Sequence, residues 1–419
     1  MLRIPTTFTK NNEDYITLPA IKRFIKSLGE TSMKTSLPRE ELMNSVLEYG
    51  NQSDENAELV QGWVDSVIHE GIKDIHLFHV ELKTPLQILF NTPAKARQYL
   101  NNYVPEGLIN HICANNYGAN FSLIEADLEK TCYGRKVKLV YCKKLHMHDK
   151  QKSFTKEIYY PITAEYYIDG AWLLIRAKPR SNMFKYNPAG FSLETSEQVT
   201  TDKLIREVYD HVNKILDFEN IDKSYSSQMI KNHIFNLLDK YTSTPAEIFE
   251  LMEKEEASVD TISNNIKSIC MVPETMFSDV DDDIKNIVEK YLSINWKDKQ
   301  IFIKDREAYP VKLSATDEEE SKVEQSAALD DPLQTKALFF DNKKMLYKNK
   351  SCDGVVFRWK RRDAFCFPGD TFTVRIFVNA KGVCIFKFME YTAKEDIENV
   401  LFSVINNGRN IEPAAAQIG

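Results

Sequence analysis

Three long stretches, "RKVKLVYCKKLHM", "KSFTKEIYYPITAEYYI" and "AWLLIRAKPR", alternate apolar with polar residues and follow one another with little between them. Alternation with a period of two is the mark of a half-buried strand. Asp169-Gly170 joins the last two, and this dipeptide favours a two-residue hairpin turn. The segment therefore predicts an antiparallel meander. A helix is predicted next, from about Thr201 to Phe218, where Leu204, Val208, Val212, Ile215 and Leu216 form one stripe able to pack on that sheet.

The remaining chain divides around this meander. Residues 1–65 read as a helical cap, with Ile21, Phe24, Ile25 and Leu28 on one face and Pro38 at the start of a second helix. Residues 66–220 form an α+β domain, opened by a strand in "IKDIHLFHVELK" and helices in "TPAKARQYLNNY" and "PEGLINHICANN". Residues 221–312 are a trihelical unit, after which "IFIKDREAYPVKL" supplies one or two short strands. Residues 313–336 are acidic, show no usable period and read as a solvated linker. Residues 337–410 form a small C-terminal β-rich domain. Its strands are "KALFFD", "GVVFRWK", "DTFTVRIFV" and "GVCIFKFMEY", "NAKG" is a hairpin turn, and a closing helix starts at a capping box, Thr392 to Glu395. The fold class is thus α+β and multidomain.

A chain of 419 residues with 43% hydrophobic and 27% charged content can bury a core in each of roughly two to four domains. Charges interrupt every apolar run well before the roughly 18 residues a membrane helix needs. The start, "MLRIPTTFTKNNEDY", has no apolar secretory core. The expectation is a cytoplasmic protein without membrane contact. Seven scattered cysteines with no C-x-x-C pair argue for reduced core residues rather than a disulfide framework or a zinc ribbon. No phosphate-cradling glycine loop, dinucleotide fingerprint, nucleophile elbow or H-E-x-x-H helix is present, so no cofactor is implied.

The formal net charge is −7, yet Lys130 to Lys156 carries nine Lys or Arg against Asp149 alone, and Lys343 to Arg362 carries eight against Asp353. Local potential acts over roughly 8–10 Å, so such segregation matters more than the sum. On the first basic strand Lys136 and Lys138 alternate with Val137, Leu139 and Tyr141, which places the lysines on a solvent face. With Lys144, Arg176, Lys178, Arg180 and the hairpin tip from Lys150 to Lys156, they make a candidate positive ridge for phosphate. The equal alternative is that edge-strand lysines prevent aggregation. "RWKRRD" places Arg358, Lys360, Arg361 and Arg362 beside Trp359 and Phe357, a combination that pairs with phosphates and stacks on bases.

In the trihelical unit, Thr244-Pro245-Ala246-Glu247 reads as a capping box, Ser258 as a second cap, and Val259, Ile262, Ile266 and Ile269 as the buried face of the following helix. Thr244, Glu247, Ile248, Ser258, Thr261 and Ile262 match the pattern T-x-x-E-I…S-x-x-T-[VI], and residues 227–312 resemble a winged helix-turn-helix domain. That resemblance implies a third helix in the DNA major groove, presenting Thr261, Asn264, Asn265 and Lys267 to bases and phosphates.

Two catalytic alternatives deserve a hearing. Asp74, Glu81 and Lys83 vaguely resemble the acid…E-x-K signature of metal-dependent nucleases, in which two carboxylates hold Mg²⁺ and a lysine helps activate water. Cys142, His146 and His148 are a weaker zinc set at a lysine-crowded hairpin end. The leading expectation is a non-enzymatic protein that binds nucleic acid, DNA ahead of RNA, as a recognition subunit in a larger assembly with protein partners, in a setting such as bacterial genome defence. The nuclease comes second and a protein-interaction scaffold third.

Overall fold

The computed structural model describes residues 2–9, 15–29, 36–149, 154–219, 223–316, 322–327, 331–363 and 369–406. The chain opens with helices α1 (Thr6–Thr9), α2 (Leu18–Ser27), α3 (Arg39–Gly50) and α4 (Asp54–Val67). Strand β1 (Lys73–His79) follows, then α5 (Thr84–Phe90) and α6 (Pro93–Asn101). The meander comprises β2 (Ser122–Thr131), β3 (Gly134–Asp149), β4 (Phe154–Tyr167) and β5 (Trp172–Ala177), extended by the short β6 (Met183–Lys185) and β7 (Gln198–Val199). Five helices come next: α7 (Thr201–Leu216), α8 (Lys223–Tyr241), α9 (Ala246–Lys254), α10 (Glu256–Ile269) and α11 (Phe277–Asn295). The last part contains β8 (Ala308–Thr316), β9 (Lys322–Ser326), α12 (Ala337–Asn349), β10 (Gly354–Lys360), β11 (Thr371–Val378), β12 (Cys384–Phe388) and α13 (Lys394–Ile405).

All the strands join one antiparallel sheet of 12 strands, ordered β7-β6-β3-β4-β5-β1-β12-β11-β10-β8-β9, with β2 paired to the remaining free part of β3. The α+β class follows directly. The join between the meander and the C-terminal strands is β1, which pairs with β5 on one side and β12 on the other, Ile75 standing opposite both Arg176 and Phe386.

Alternation assigns the faces. Leu173 and Ile175 of β5, with Leu139 and Tyr141 of β3, pack under α5, α6 and α7. The intervening Leu174, with Ile75 and Leu77 of β1, faces the opposite way into a core shared with α8, α12 and α13. Val140 and Cys142 of β3 also face that way and meet α2, α3 and α4. The meander is therefore covered on both sides. By contrast, β10, β11 and β12 bury chiefly one face: Val355, Phe357, Trp359, Val374, Ile376, Phe386 and Phe388 go into the core, while on the other face Ile385 is buried but Val356, Arg358, Thr373, Arg375 and Lys387 stay at least partly accessible.

Several expectations need correction. "KALFFD" is the start of α12, not a strand: Phe339, Phe340 and Leu346 are all buried along one helical side, and a short apolar run does not distinguish strand from helix. Lys322–Ser326, within the stretch read as linker, pairs with β8 as an edge strand. "PEGLINHICANN" forms only the 3₁₀ turn Ile112–Ala114. There the Asn115 side chain bonds the Ile109 backbone at both N–H and C=O, replacing helical bonds. The capping boxes do not form. Thr244 Oγ1 donates to Glu289 and Glu247 pairs with Lys304, while Ala393 rather than Thr392 caps α13 and Glu395 pairs with Arg23. On α10 the buried residues are Val259 and Ser263, whereas Ile262 and Ile269 are 49% and 78% exposed. Of the cysteines, Cys142, Cys352 and Cys384 are buried, Cys113 is half-buried, Cys132 and Cys270 are exposed, and Cys366 lies outside the described residues.

Candidate nucleic-acid interface

The accessible face of the C-terminal strands carries a row of residues set by register. Lys312 of β8 lies opposite Val356 of β10, Val356 opposite Arg375 of β11, Arg375 opposite Lys387 of β12, and Lys387 opposite Asp74 of β1. Adjacent strands are about 4.8 Å apart, so three cations occupy a line across four strands. Lys312 and Arg375 are exposed and Lys387 is half-buried. In the parallel row through Gly354, Phe377, Ile385 and His76, Phe377 is the partly accessible member and the other three are buried. The Arg375 guanidinium sits 4.7 Å from the Phe377 ring centroid, and Met389 beyond is 57% exposed. An accessible sheet with cations and a half-exposed aromatic ring is the surface type on which unpaired bases stack.

At the β1 end this face drops into a cleft of about 390 Å³ lined by Asp74, Arg180, Ser181, Thr200, Thr201, Asp202 and Lys387. The 16-residue α7 begins here, with the Thr200 hydroxyl accepting from the Lys203 N–H, so its positive dipole end faces the cleft. Lys387 Nζ is 3.6 Å from Asp74 Oδ2, and His76 Nε2 is 3.4 Å from Asp202 Oδ1. Burial raises the Asp74 carboxyl above the usual aspartate value, against the pull of Lys387 and with the help of Asp202. Burial also lowers His76 to about 4, despite Asp202, so the imidazole is neutral at pH 7.

The other anticipated cations are distributed among partners. Lys136 is buried rather than on a solvent face: it holds Glu165 at 2.6 Å and Glu129 at 3.2 Å, on the side of β3 where Val140 and Cys142 meet the N-terminal helices. Arg176 is buried 2.5 Å from the other oxygen of Glu165. Burial alone would raise Glu165, yet Arg176 and Lys136 together hold it far below the usual carboxylate range. Lys138 pairs with Glu125 at 2.8 Å, and Lys144 pairs with Glu157. Lys178 and Arg180 flank the buried Tyr15 ring at 5.2 and 5.5 Å, and Arg180 also lines the cleft. Arg358 bonds Thr371, Thr373 and Glu390, Lys360 donates to the carbonyls of Ile303 and Lys304, Arg361 to that of Tyr391, and Arg362 to Asn399. The hairpin tip at 150–153 lies outside the described residues.

On α10, Thr261, Asn264 and Asn265 are exposed, while Lys267 is held by Asp281 at 2.6 Å and Thr261 donates to its own helix at Ala257. A single residue, Glu255, separates α9 from α10. The nuclease trio is not brought together. Asp74 and His79 alone are separated by about 17 Å of extended strand; Glu81 is exposed past the end of β1, and Lys83 caps α5 while pairing with Asp217 at 2.6 Å. Likewise about 13 Å of strand separates Cys142 from His146. His146 and His148 gather instead around Phe191. Among the described residues, no group of three or more His, Cys, Asp or Glu side chains is disposed to hold a metal ion, and no helix is long and apolar enough to cross a membrane.

The sequence reading missed Lys312, Arg375 and Lys387, each a single cation in a separate strand. The available signal was alternation: "VRIFV" and "CIFKF" put Arg375 and Lys387 opposite in parity to Val374, Ile376, Phe386 and Phe388.

No protein-family model matches the chain, and no solved structure matches it. Among curated proteins, the ATP-dependent RNA helicase DBP9 of Candida albicans is 30% identical over 112 residues, a match covering 25% of this chain and 19% of the helicase.

Proposed function

We propose that this protein binds single-stranded nucleic acid along the accessible face of β8, β10, β11 and β12, without catalysing a reaction on it. The observation that carries this reading is the row Lys312, Arg375 and Lys387, set in line by the sheet and neighboured by Phe377 and Met389. Phosphates follow the cations and bases lie on the apolar and aromatic positions of the adjacent rows. A flat sheet suits an unpaired strand, whose bases splay out, better than a duplex groove. The likeness to an RNA helicase supports the polymer class, although it covers 19% of that protein and lends nothing about its ATP-dependent activity.

The test is fluorescence anisotropy of the full chain with a labelled single strand across a salt series. Affinity should fall with salt at a slope of about 0.7 per phosphate contact, and the Lys312→Ala/Arg375→Ala double variant should bind more weakly with a shallower slope. Absent binding at low salt, or binding indifferent to both salt and the variant, rejects the platform.

A second reading rests on the exposure of Asn264 and Asn265 on α10, the positions that the winged-helix resemblance assigns to base edges. Asp260 lies one helical turn before Asn264, and Glu253, Glu255 and Glu256 add negative charge at the start of α10, which makes this the weaker surface for phosphate. Duplex competitor DNA separates the two readings.

A further inference from the structure

The cleft where the sheet meets α7 carries equal charge of both signs, which a surface built only for phosphate would not. Arg180, Lys387 and the first amides of α7 favour an anion, whereas Asp74 and Asp202 oppose one. A carboxylate inside an anion-binding surface repels phosphate, a cost that is offset where it accepts a hydrogen bond from a donor elsewhere on the ligand. Asp74 is well placed for such a donor. Its side chain is 9% exposed, lines the cleft and pairs with Lys387 at 3.6 Å. That contact occupies at most one of the roughly four lone-pair positions an ionised carboxylate offers.

We infer that the cleft holds one ribonucleotide of the bound strand, its phosphate toward Arg180 and Ser181 and its 2′-hydroxyl donating to Asp74, so that Asp74 makes the protein select RNA over DNA. In a nucleic-acid strand the donor nearest to a phosphate is the ribose hydroxyl, a few bonds away, whereas the base amino groups lie further out. A volume of about 390 Å³ falls in the range of roughly 300–1,000 Å³ typical of sites for small ligands. Asp202, which also lines the cleft, lies 3.4 Å from His76 and is 63% exposed. This assignment rests on the platform reading, since a nucleotide enters the cleft as part of a strand lying on the sheet.

The experiment compares three strands of identical base sequence against the full chain by fluorescence anisotropy: oligouridine RNA, oligodeoxyuridine, and 2′-O-methyl oligouridine. RNA should bind about tenfold tighter than either of the other two, the worth of one hydrogen bond to a charged acceptor. Asp74→Ala should lower RNA affinity to the level of DNA and leave DNA affinity unchanged or slightly higher, because a repelling charge is gone. Equal binding of all three strands by the native protein overturns the inference and leaves the platform standing. An Asp74→Ala variant that loses RNA and DNA affinity in equal proportion also overturns it, since that is the result of a merely structural role. No binding of any strand at low salt overturns the platform and this inference with it.

Discussion

Arg375 of β11 and Lys387 of β12 stand directly opposite each other across a strand pair, two like charges in the position where a sheet ordinarily places complementary ones. Asp74 offsets Lys387 from one side, but Arg375 faces solvent beside Phe377. A bound phosphate would relieve the repulsion. Replacing Arg375 by Ala should therefore leave stability unchanged or slightly raised while weakening single-strand binding and reducing the salt slope by about 0.7. Urea melts paired with anisotropy titrations check both halves.

The Phe377 ring lies 4.7 Å from the Arg375 guanidinium, beside the cation row. Phe377→Leu keeps most of the apolar contact of this half-buried position but removes the π-face. Affinity for an unpaired strand should fall by about 1–3 kcal/mol with little change in salt slope, the opposite signature to that of Arg375→Ala.

Glu165 forms ion pairs with both Arg176 and Lys136, and all three side chains are buried. Removing one partner strands a cation in a low-dielectric setting. Glu165→Gln should cost about 3–5 kcal/mol in urea unfolding, and pairing it with Arg176→Met should recover part of that loss. A double variant no more stable than Glu165→Gln would show that the charge balance is not what holds this layer.

The His76 ring has an ordinary value of 6.5 and is lowered by burial to about 4 in the folded chain. Within that window only the unfolded chain takes up this proton, so stability should fall as the pH is lowered from about 6.5 and level off near 4. The full effect is up to roughly 3 kcal/mol, and His76→Gln should flatten that part of a thermal-melt pH profile.

Asn264→Ala with Asn265→Ala touches two exposed positions, so stability should change by no more than about 0.5 kcal/mol. Single-strand affinity should not move. A drop confined to duplex DNA in a competition assay would assign base contacts to α10.

The legible parts of this fold are those fixed by neighbours in the chain. The alternating stretches marked the antiparallel meander, and the stripe from Leu204 to Leu216 marked α7. Charge was read less well, because density along a chain is not density in space. In "RWKRRD" the cations are taken up by Glu390, Asn399 and backbone carbonyls brought in by other segments. Lys312, Arg375 and Lys387, each isolated in its own strand, gather only once register aligns them. Likewise α12 hid in an apolar run too short to show its period, and the partner of β1 is a strand from the far end of the sequence.

That last pairing bears on how the protein is made. During synthesis β1 emerges long before β12, so one of its two hydrogen-bonded edges has no partner until β12 leaves the ribosome. Until then the nascent chain presents a bare template of Ile75 and Leu77, the kind of edge that recruits the wrong strand. Interrupting translation ahead of Cys384 would yield aggregates, not a shortened binder, and chaperone demand should peak just before the ribosome reaches that codon.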